Sequence, residues 1–324
     1  MTDIGTFADD TKMGKAIRAL IDKITLQTGL NHMYQWTNEN NLEFNNDKFI
    51  NMKYTSGDAS ADDTIYLTSE QTPIKIQHEC KDLGVITCTD MSFETHIQSK
   101  VTKARQKQGW ALRTFKTRKT KPMLTILKTL IMPHLDYCSV LIFPKLKKHM
   151  MLLESVQRSF TSKICEVKDD NYWTRLLKLK LYSVERRYER YSVIYTWKVM
   201  EEKCPNLPIN PITVTINDRR GRLCIIPPIV KKTPPKIKTI KDNFFSVRGP
   251  RLFNSLPADI RNITSCSVES FKHHLDKYLQ TLPDQPTVPG YYVRSAPSNS
   301  IIDQGRISSR GGMSTACSLG ATQK

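Results

Sequence analysis

From Glu94 onward the apolar residues of this chain change period. Ile97, Val101, Ala104, Gln108, Ala111 and Phe115 follow one another at intervals of three and four, the spacing of one helix face. Thr120 followed by Pro122 reads as the start of a second helix through Leu124, Leu127 and Leu130, which Pro133 should end or kink. Met150, Leu153, Gln157, Phe160 and Ile164 predict a third, residues 172–179 a fourth, and Val184, Tyr188, Tyr191, Tyr195 and Val199 a fifth. Before Glu94 the pattern is of short strands around one helix. Residues 4–7 and 11–13 suit a hairpin, and Ile17, Leu20, Ile21 and Ile24 begin a helix that resumes through Met33 and Trp36. Residues 42–44, 49–54, 65–67, 74–78 and 83–86 are strand candidates, the last two paired across Lys81 and Asp82. The expectation is an α+β chain, with a small antiparallel sheet and a helix in 1–95 and a mainly α-helical bundle in 96–203.

Charge divides at the same place. Residues 1–96 carry 8 Lys/Arg against 15 Asp/Glu, net −7, whereas residues 97–200 carry 23 against 7, net +16. A basic helical segment is the electrostatic footprint of a polyanion binder, nucleic acid first and an anionic surface second. Lys100, Lys103, Arg105, Lys107, Arg113 and Lys116, around the apolar face of the first helix, are the candidate phosphate contacts. No apolar run approaches the roughly 18 residues of a membrane span. Eight scattered cysteines without a C-x-x-C pair read as reduced, intracellular thiols. His78, Cys80, Cys88 and His96 lack a tight knuckle and read as ordinary residues rather than a zinc site. Residues 204–240, rich in proline and basic side chains, predict an extended linker. Residues 241–282 predict a small segment with a helix bearing Val268, Phe271, Leu275 and Tyr278, and 283–324 a disordered tail.

Asp9 and Asp10 are expected at the tip of the first hairpin. Two adjacent carboxylates oppose each other's ionisation, and a divalent cation removes that conflict. Mg²⁺, bound by one or two carboxylates together with substrate phosphates, suits so few hard oxygen ligands. A second Ala-Asp-Asp-Thr at 61–64 has no apolar strand before it and is read as a loop without a role.

Phe7-Ala8-Asp9-Asp10 resembles the aromatic-x-Asp-Asp box of reverse transcriptases, and the chain over residues 3–279 resembles the C-terminal part of a non-LTR (LINE-type, jockey-like) retrotransposon polymerase. The matching pieces come in family order: F-A-D-D-T-K at residues 7–12, a helix ending in Trp36, then Leu42-Glu43-Phe44-Asn45 and Lys48, then Leu83-Gly84-Val85 and His96-Ile97. Further on come Phe244-Phe245-Ser246 with Arg248, Phe253-Asn254-Ser255-Leu256-Pro257, and Ser267-Val268 with Phe271-Lys272. The resemblance implies a partial polymerase palm in 1–95 with Asp9 and Asp10 as Mg²⁺ ligands for two-metal nucleotidyl transfer. It also implies Lys48 as the proton donor to pyrophosphate, Leu83 and Gly84 in a primer grip, and a thumb in 96–203 that tracks the duplex. The implied partners are an RNA template, a DNA primer and deoxynucleoside triphosphates, in the nucleus or cytoplasm. Phe49, where the family often has a small residue, and Lys81-Asp82, in place of Lys-Tyr, depart from the pattern. The family's third palm carboxylate lies well upstream of the pair, so the expectation is a polymerase fragment inactive alone. The rival expectation is a non-catalytic nucleic-acid-binding protein that uses the same basic bundle.

Overall fold

The computed structural model describes residues 2–54, 64–144, 146–204, 213–215, 224–226, 242–289 and 298–310. The second Ala-Asp-Asp copy and most of the expected linker lie outside these. Contacts divide the chain into two units, Met1–Phe93 and Glu94–Lys324.

In the first unit, β1 (Asp3–Phe7) and β2 (Asp10–Gly14) pair antiparallel with Phe7 opposite Asp10, leaving Ala8 and Asp9 as a two-residue turn. Such a turn follows the strand twist when its first central residue has positive φ, and Ala8 takes φ 52°. A residue with a Cβ pays roughly 1–2 kcal/mol for that conformation. α1 (Leu20–Glu39) runs unbroken through Gly29, which lies close against β2: a Cβ there would meet Met13 Sδ at 3.4 Å. Its buried face is not the expected one. Leu30 and Tyr34 form a core with Tyr66 and Ile74, bordered by Met13, Leu26, Phe44 and Phe49, while Leu20, Ile21 and Ile24 are exposed. The aromatic partners decide this: Tyr34 meets Phe44 edge-on at 5.4 Å and stacks on Phe49 at 5.7 Å, so the C-terminal half of the helix is the half that packs.

The expected single antiparallel sheet is instead a set of separate two-stranded pairs. β3 (Ile50–Asn51) and β4 (Lys75–Ile76) pair in parallel, and residues 42–44 form no strand. β5 (Glu79–Asp82) and β6 (Val85–Cys88) form a hairpin whose turn is Leu83-Gly84, not Lys81-Asp82. Both turn residues have positive φ, 44° and 82°, the primed geometry that closes two-residue hairpins and for which Gly84 is suited.

In the second unit, α2 (Glu94–Thr114) buries Ile97, Val101, Ala104, Gln108 and Ala111, as the periodicity predicts, but Phe115 lies exposed just past its end. α3 (Thr120–Ile126) continues through a π-helical turn, Leu127–Ile131, into α4 (Met132–Asp136). The wide turn absorbs Pro133, which cannot donate a backbone hydrogen bond. α5 (Lys147–Thr161) buries Leu153, Val156 and Phe160. α6 (Tyr172–Leu179) is capped by Asn171 and α7 (Val184–Met200) by Ser183. β7 (Thr213–Thr215) and β8 (Cys224–Ile226) pair antiparallel.

Residues 242–282 are not a separate segment. α8 (Phe245–Asn254), α9 (Ala258–Arg261) and α10 (Val268–Leu279) share a core with α7, in which Trp197 stacks on Phe271 at 4.4 Å. α8 crosses α7 so closely that a Cβ on Gly249 would lie 2.5 Å from Thr196 Oγ1. Nor are the described parts of the tail disordered. Arg186 donates to the carbonyls of Pro283 and Asn299 at 2.8 and 3.0 Å, and Asp284 accepts from Ser183 N and Oγ at 2.7 Å. Glu189 accepts from Ile301 N at 2.8 Å at the start of α11 (Ile301–Arg310). These bonds satisfy buried polar groups of α7 that composition alone cannot show to be in want of partners.

Candidate nucleic-acid interface

The hairpin turn holds Asp9, and Asp10 opens β2; both are exposed, as is Phe7 beside them. Among the described residues no group of three or more metal-ligating side chains occurs, so no third carboxylate joins the pair. Lys48 ends a short helical turn, Asn46–Lys48, that is capped by the Asn45 side chain at 3.1 Å from Asp47 N. Phe44 packs in the aromatic trio, and Tyr34 donates to Asn46 Oδ1 at 2.7 Å. The F-N-x-x-K segment therefore has a structural role at its Phe and Asn positions and presents Lys48 exposed. No hydrogen bond or ion pair joins Lys48 to either aspartate among the described residues.

The Leu83-Gly84 turn is drawn toward the aspartate hairpin by an ion pair that the sequence did not advertise. Lys12 on β2 meets Asp82, the residue just before the turn, at 2.5 Å. Asp82 stands where the resemblance has tyrosine, and Lys12 is the lysine of F-A-D-D-T-K. Complementary charge at these two departing and matching positions was the available signal. Cys80, two residues back on the same strand, has its thiol pKa raised by burial and by Asp82, with Lys12 opposing.

On α2 the six basic candidates separate. Lys100 turns inward: it is 5% exposed, donates to the Tyr137 carbonyl at 2.7 Å and lies 5.6 Å over the Tyr188 ring. Burial lowers its pKa to about 8. It is a packing residue, three positions after Ile97 and four before Ala104 on the buried face, and its assignment to a nucleic-acid surface is corrected. Arg105 is exposed and donates to Ser155 Oγ at 3.0 Å, which holds it against α5. Lys103, Lys107, Arg113 and Lys116 are exposed. Lys103 and Lys107 share one face with Trp110, which is 47% exposed and meets Phe115 edge-on at 6.0 Å. The spacing of four and three, Lys103 to Lys107 to Trp110, places all three on one stripe and could have been found from the sequence. The stripe carries a positive potential. The pKa of His134 is lowered by burial and then by Lys107 and Lys103, and that of His96 to about 4 by burial, Lys100 and Lys103.

Basic side chains supply phosphate contacts, and an exposed aromatic among them supplies a face on which a base stacks. Comparison with protein-family models, with curated proteins and with solved structures finds no match to this chain.

Proposed function

We propose that the chain is part of an RNA-directed DNA polymerase of the non-LTR retrotransposon kind, with the α2 face holding a template–primer duplex and the aspartate hairpin contributing two carboxylates to nucleotidyl transfer. The observation that carries the reading is the exposed Asp9-Asp10 pair at a two-residue turn, tied through Lys12 and Asp82 to the Leu83-Gly84 turn. These are the two stretches on which the sequence resemblance most depends.

Two exposed carboxylates fit one Mg²⁺ that completes its shell with water and substrate phosphates; they do not by themselves fit a pair of ions. Asp9 and Asp10 would hold that ion, which when bound supplies charge stabilisation to the transferring phosphoryl group. Lys48, exposed and carrying no ion pair among the described residues, would give a proton to departing pyrophosphate. The reading of the chain as inactive alone rests on the resemblance, whose family needs a further palm carboxylate besides the pair. The chain's partners are then an RNA template, a DNA primer, deoxynucleoside triphosphates and a polypeptide that brings the remaining palm carboxylate, inside the cell.

The test is primer extension with Mg²⁺ on an RNA template, with and without a polypeptide that carries the complementary palm segment. Extension is expected only in the mixture and lost in Asp9→Ala/Asp10→Ala. Calorimetric Mg²⁺ binding that is unchanged in that variant overturns the assignment. The second reading, a non-catalytic nucleic-acid-binding protein, is favoured by the Lys103–Lys107–Trp110 stripe, which needs no metal. It predicts duplex binding that is indifferent to the aspartates.

A further inference from the structure

Away from the α2 stripe, the helical unit contains a groove of about 360 Å³ whose lining includes Lys128, Pro133, Asp136, Lys180, Arg187 and Tyr191. Its charges do not cancel. Asp136 is fully engaged, accepting from Arg187 Nε at 2.9 Å and from Tyr191 OH at 3.2 Å. That leaves Lys128 and Lys180, both exposed and neither paired with a carboxylate among the described residues. Arg187, in the same lining, is 6% exposed, and its Nη1 donates to Gln157 at 2.7 Å. Its Nη2 is buried with no hydrogen-bond partner among the described residues, as are Nε and Nη1 of the neighbouring Arg186. A buried donor without a partner costs about 1–3 kcal/mol and calls for an explanation.

Both lysines are presented by irregular backbone. Lys128 sits on the π-helical turn Leu127–Ile131, a distortion that recurs at functional sites. Lys180 ends α6 in the left-handed conformation, φ 52°, where glycine is usual and a side chain is penalised by roughly 1–2 kcal/mol. The fold thus tolerates strain at the position that brings an unpaired ammonium to the groove. Although burial opposes it, Asp136 together with Tyr191 keeps the Arg187 pKa above its ordinary value, so this group stays charged.

We propose that the groove is an anion site for a phosphoryl group, held by Lys128 and Lys180 with the charge of Arg187 in its lining. A volume of about 360 Å³ admits a phosphate with its sugar, so the ligand class is a phosphate ester of nucleotide size. The ester is either a free nucleotide or one link of a nucleic-acid strand. The site does not depend on the polymerase reading, because none of its residues belongs to the α2 stripe or to the aspartate hairpin.

The full chain is compared with Lys128→Ala/Lys180→Gly. Glycine suits φ 52°, so the variant is expected to unfold at the same temperature or higher. Calorimetry with adenosine 5′-monophosphate and anisotropy with an RNA–DNA duplex at several salt concentrations are the two arms. Weakening of nucleotide binding by about tenfold or more, with the duplex salt slope unchanged, identifies a free phosphate ester as the ligand. A slope reduced by about 1.8, two phosphate contacts, identifies a strand. If neither arm changes, or if binding falls only together with the unfolding temperature, the proposal is overturned. Lys103→Ala/Lys107→Ala separates the two readings: unchanged duplex binding there, with nucleotide binding lost in the groove variant, refutes the α2 interface and leaves the groove standing.

Discussion

Glu189→Gln should flatten the pH dependence of stability. Glu189 is 3% exposed on α7, and its carboxyl accepts from Ser300 Oγ and Ile301 N, the residues that open α11. Burial, then the neighbouring Glu185, push its pKa to about 8, with the two hydrogen bonds and Arg186 opposing. An unfolded carboxyl titrates near 4.5. Between these values the folded chain holds a proton that the unfolded chain has released, so stability falls as pH rises through the window. One proton changes stability by about 1.4 kcal/mol per pH unit, hence by roughly 2–3 kcal/mol between about pH 5.5 and 7.5. Glu154, raised to about 7 chiefly by burial, pulls in the same direction, so the wild-type slope exceeds that of one group. Glutamine has no proton to lose yet still accepts from Ile301 N. The difference between the two chains therefore isolates Glu189. Urea unfolding followed by circular dichroism at three pH values, with m compared between chains, measures it. Wild type and variant falling in parallel would refute the reasoning and, with it, the buried contact that fixes the tail.

Gly249→Ala should destabilise the helical unit. Its Cβ would meet Thr196 Oγ1 at 2.5 Å and Phe245 Cε2 at 2.8 Å, an overpacking cost of about 1–3 kcal/mol less about 1 from helix propensity; adding Thr196→Ala should recover part of the loss in urea midpoint. Ala8→Gly should raise stability of the first unit by about 1 kcal/mol by relieving φ 52°, read as slower hydrogen exchange in β1 and β2. Lys100→Met should leave duplex affinity and its salt slope unchanged, because the ammonium it removes is internal. Lys103→Ala and Lys107→Ala should each lower the slope by about 1 in fluorescence anisotropy.

Long, regular periodicity was legible: the buried face of α2 and that of α5 follow from spacing alone, since both helices bury one stripe along their length. The first hairpin was legible because Asp9-Asp10 separates two short stretches that bear apolar residues, although the turn falls one residue earlier, on Ala8-Asp9. Elsewhere the deciding contacts are distant in sequence. Which side of α1 is buried depends on Phe44, Phe49, Tyr66 and Ile74, none of them local to the helix. The β5–β6 turn departs from the expected Lys81-Asp82 because leucine at φ 44° is not a turn signal, although Gly84 beside it is. Residues 283–310 are poor in apolar side chains, which argues for disorder. The described parts, 283–289 and 298–310, are held instead by polar bonds to α7, reaching back about a hundred residues from Asp284 to Ser183 and from Ile301 to Glu189, and by Ile301 in the core beside it. In the candidate interface, charge density picks out α2 but not which of its basic residues face outward. Lys100 and Lys103 differ by three residues and end on opposite sides of the solvent boundary.

Affinity for a duplex tests only the helical unit, and both readings of the chain predict it. The difference between them lies in the first unit, where two hairpin turns place non-glycine residues at positive φ, Ala8 at 52° and Leu83 at 44°, and Lys12 links one hairpin to the other. The link itself contributes little: Lys12 and Asp82 side chains are 51% and 34% exposed, and such pairs are worth about 0–1 kcal/mol. Stability therefore does not account for two strained turns held together by a weak pair. A chain that only bound nucleic acid through α2 would be free to replace Ala8 with glycine and Asp9 or Asp10 with any turn residue. If the strain serves to aim the carboxylates, Ala8→Gly should loosen the Asp9-Asp10 turn and weaken Mg²⁺ binding while it stabilises the hairpin. Opposite signs in those two measurements on one variant follow from a metal-binding role and not from a bare turn.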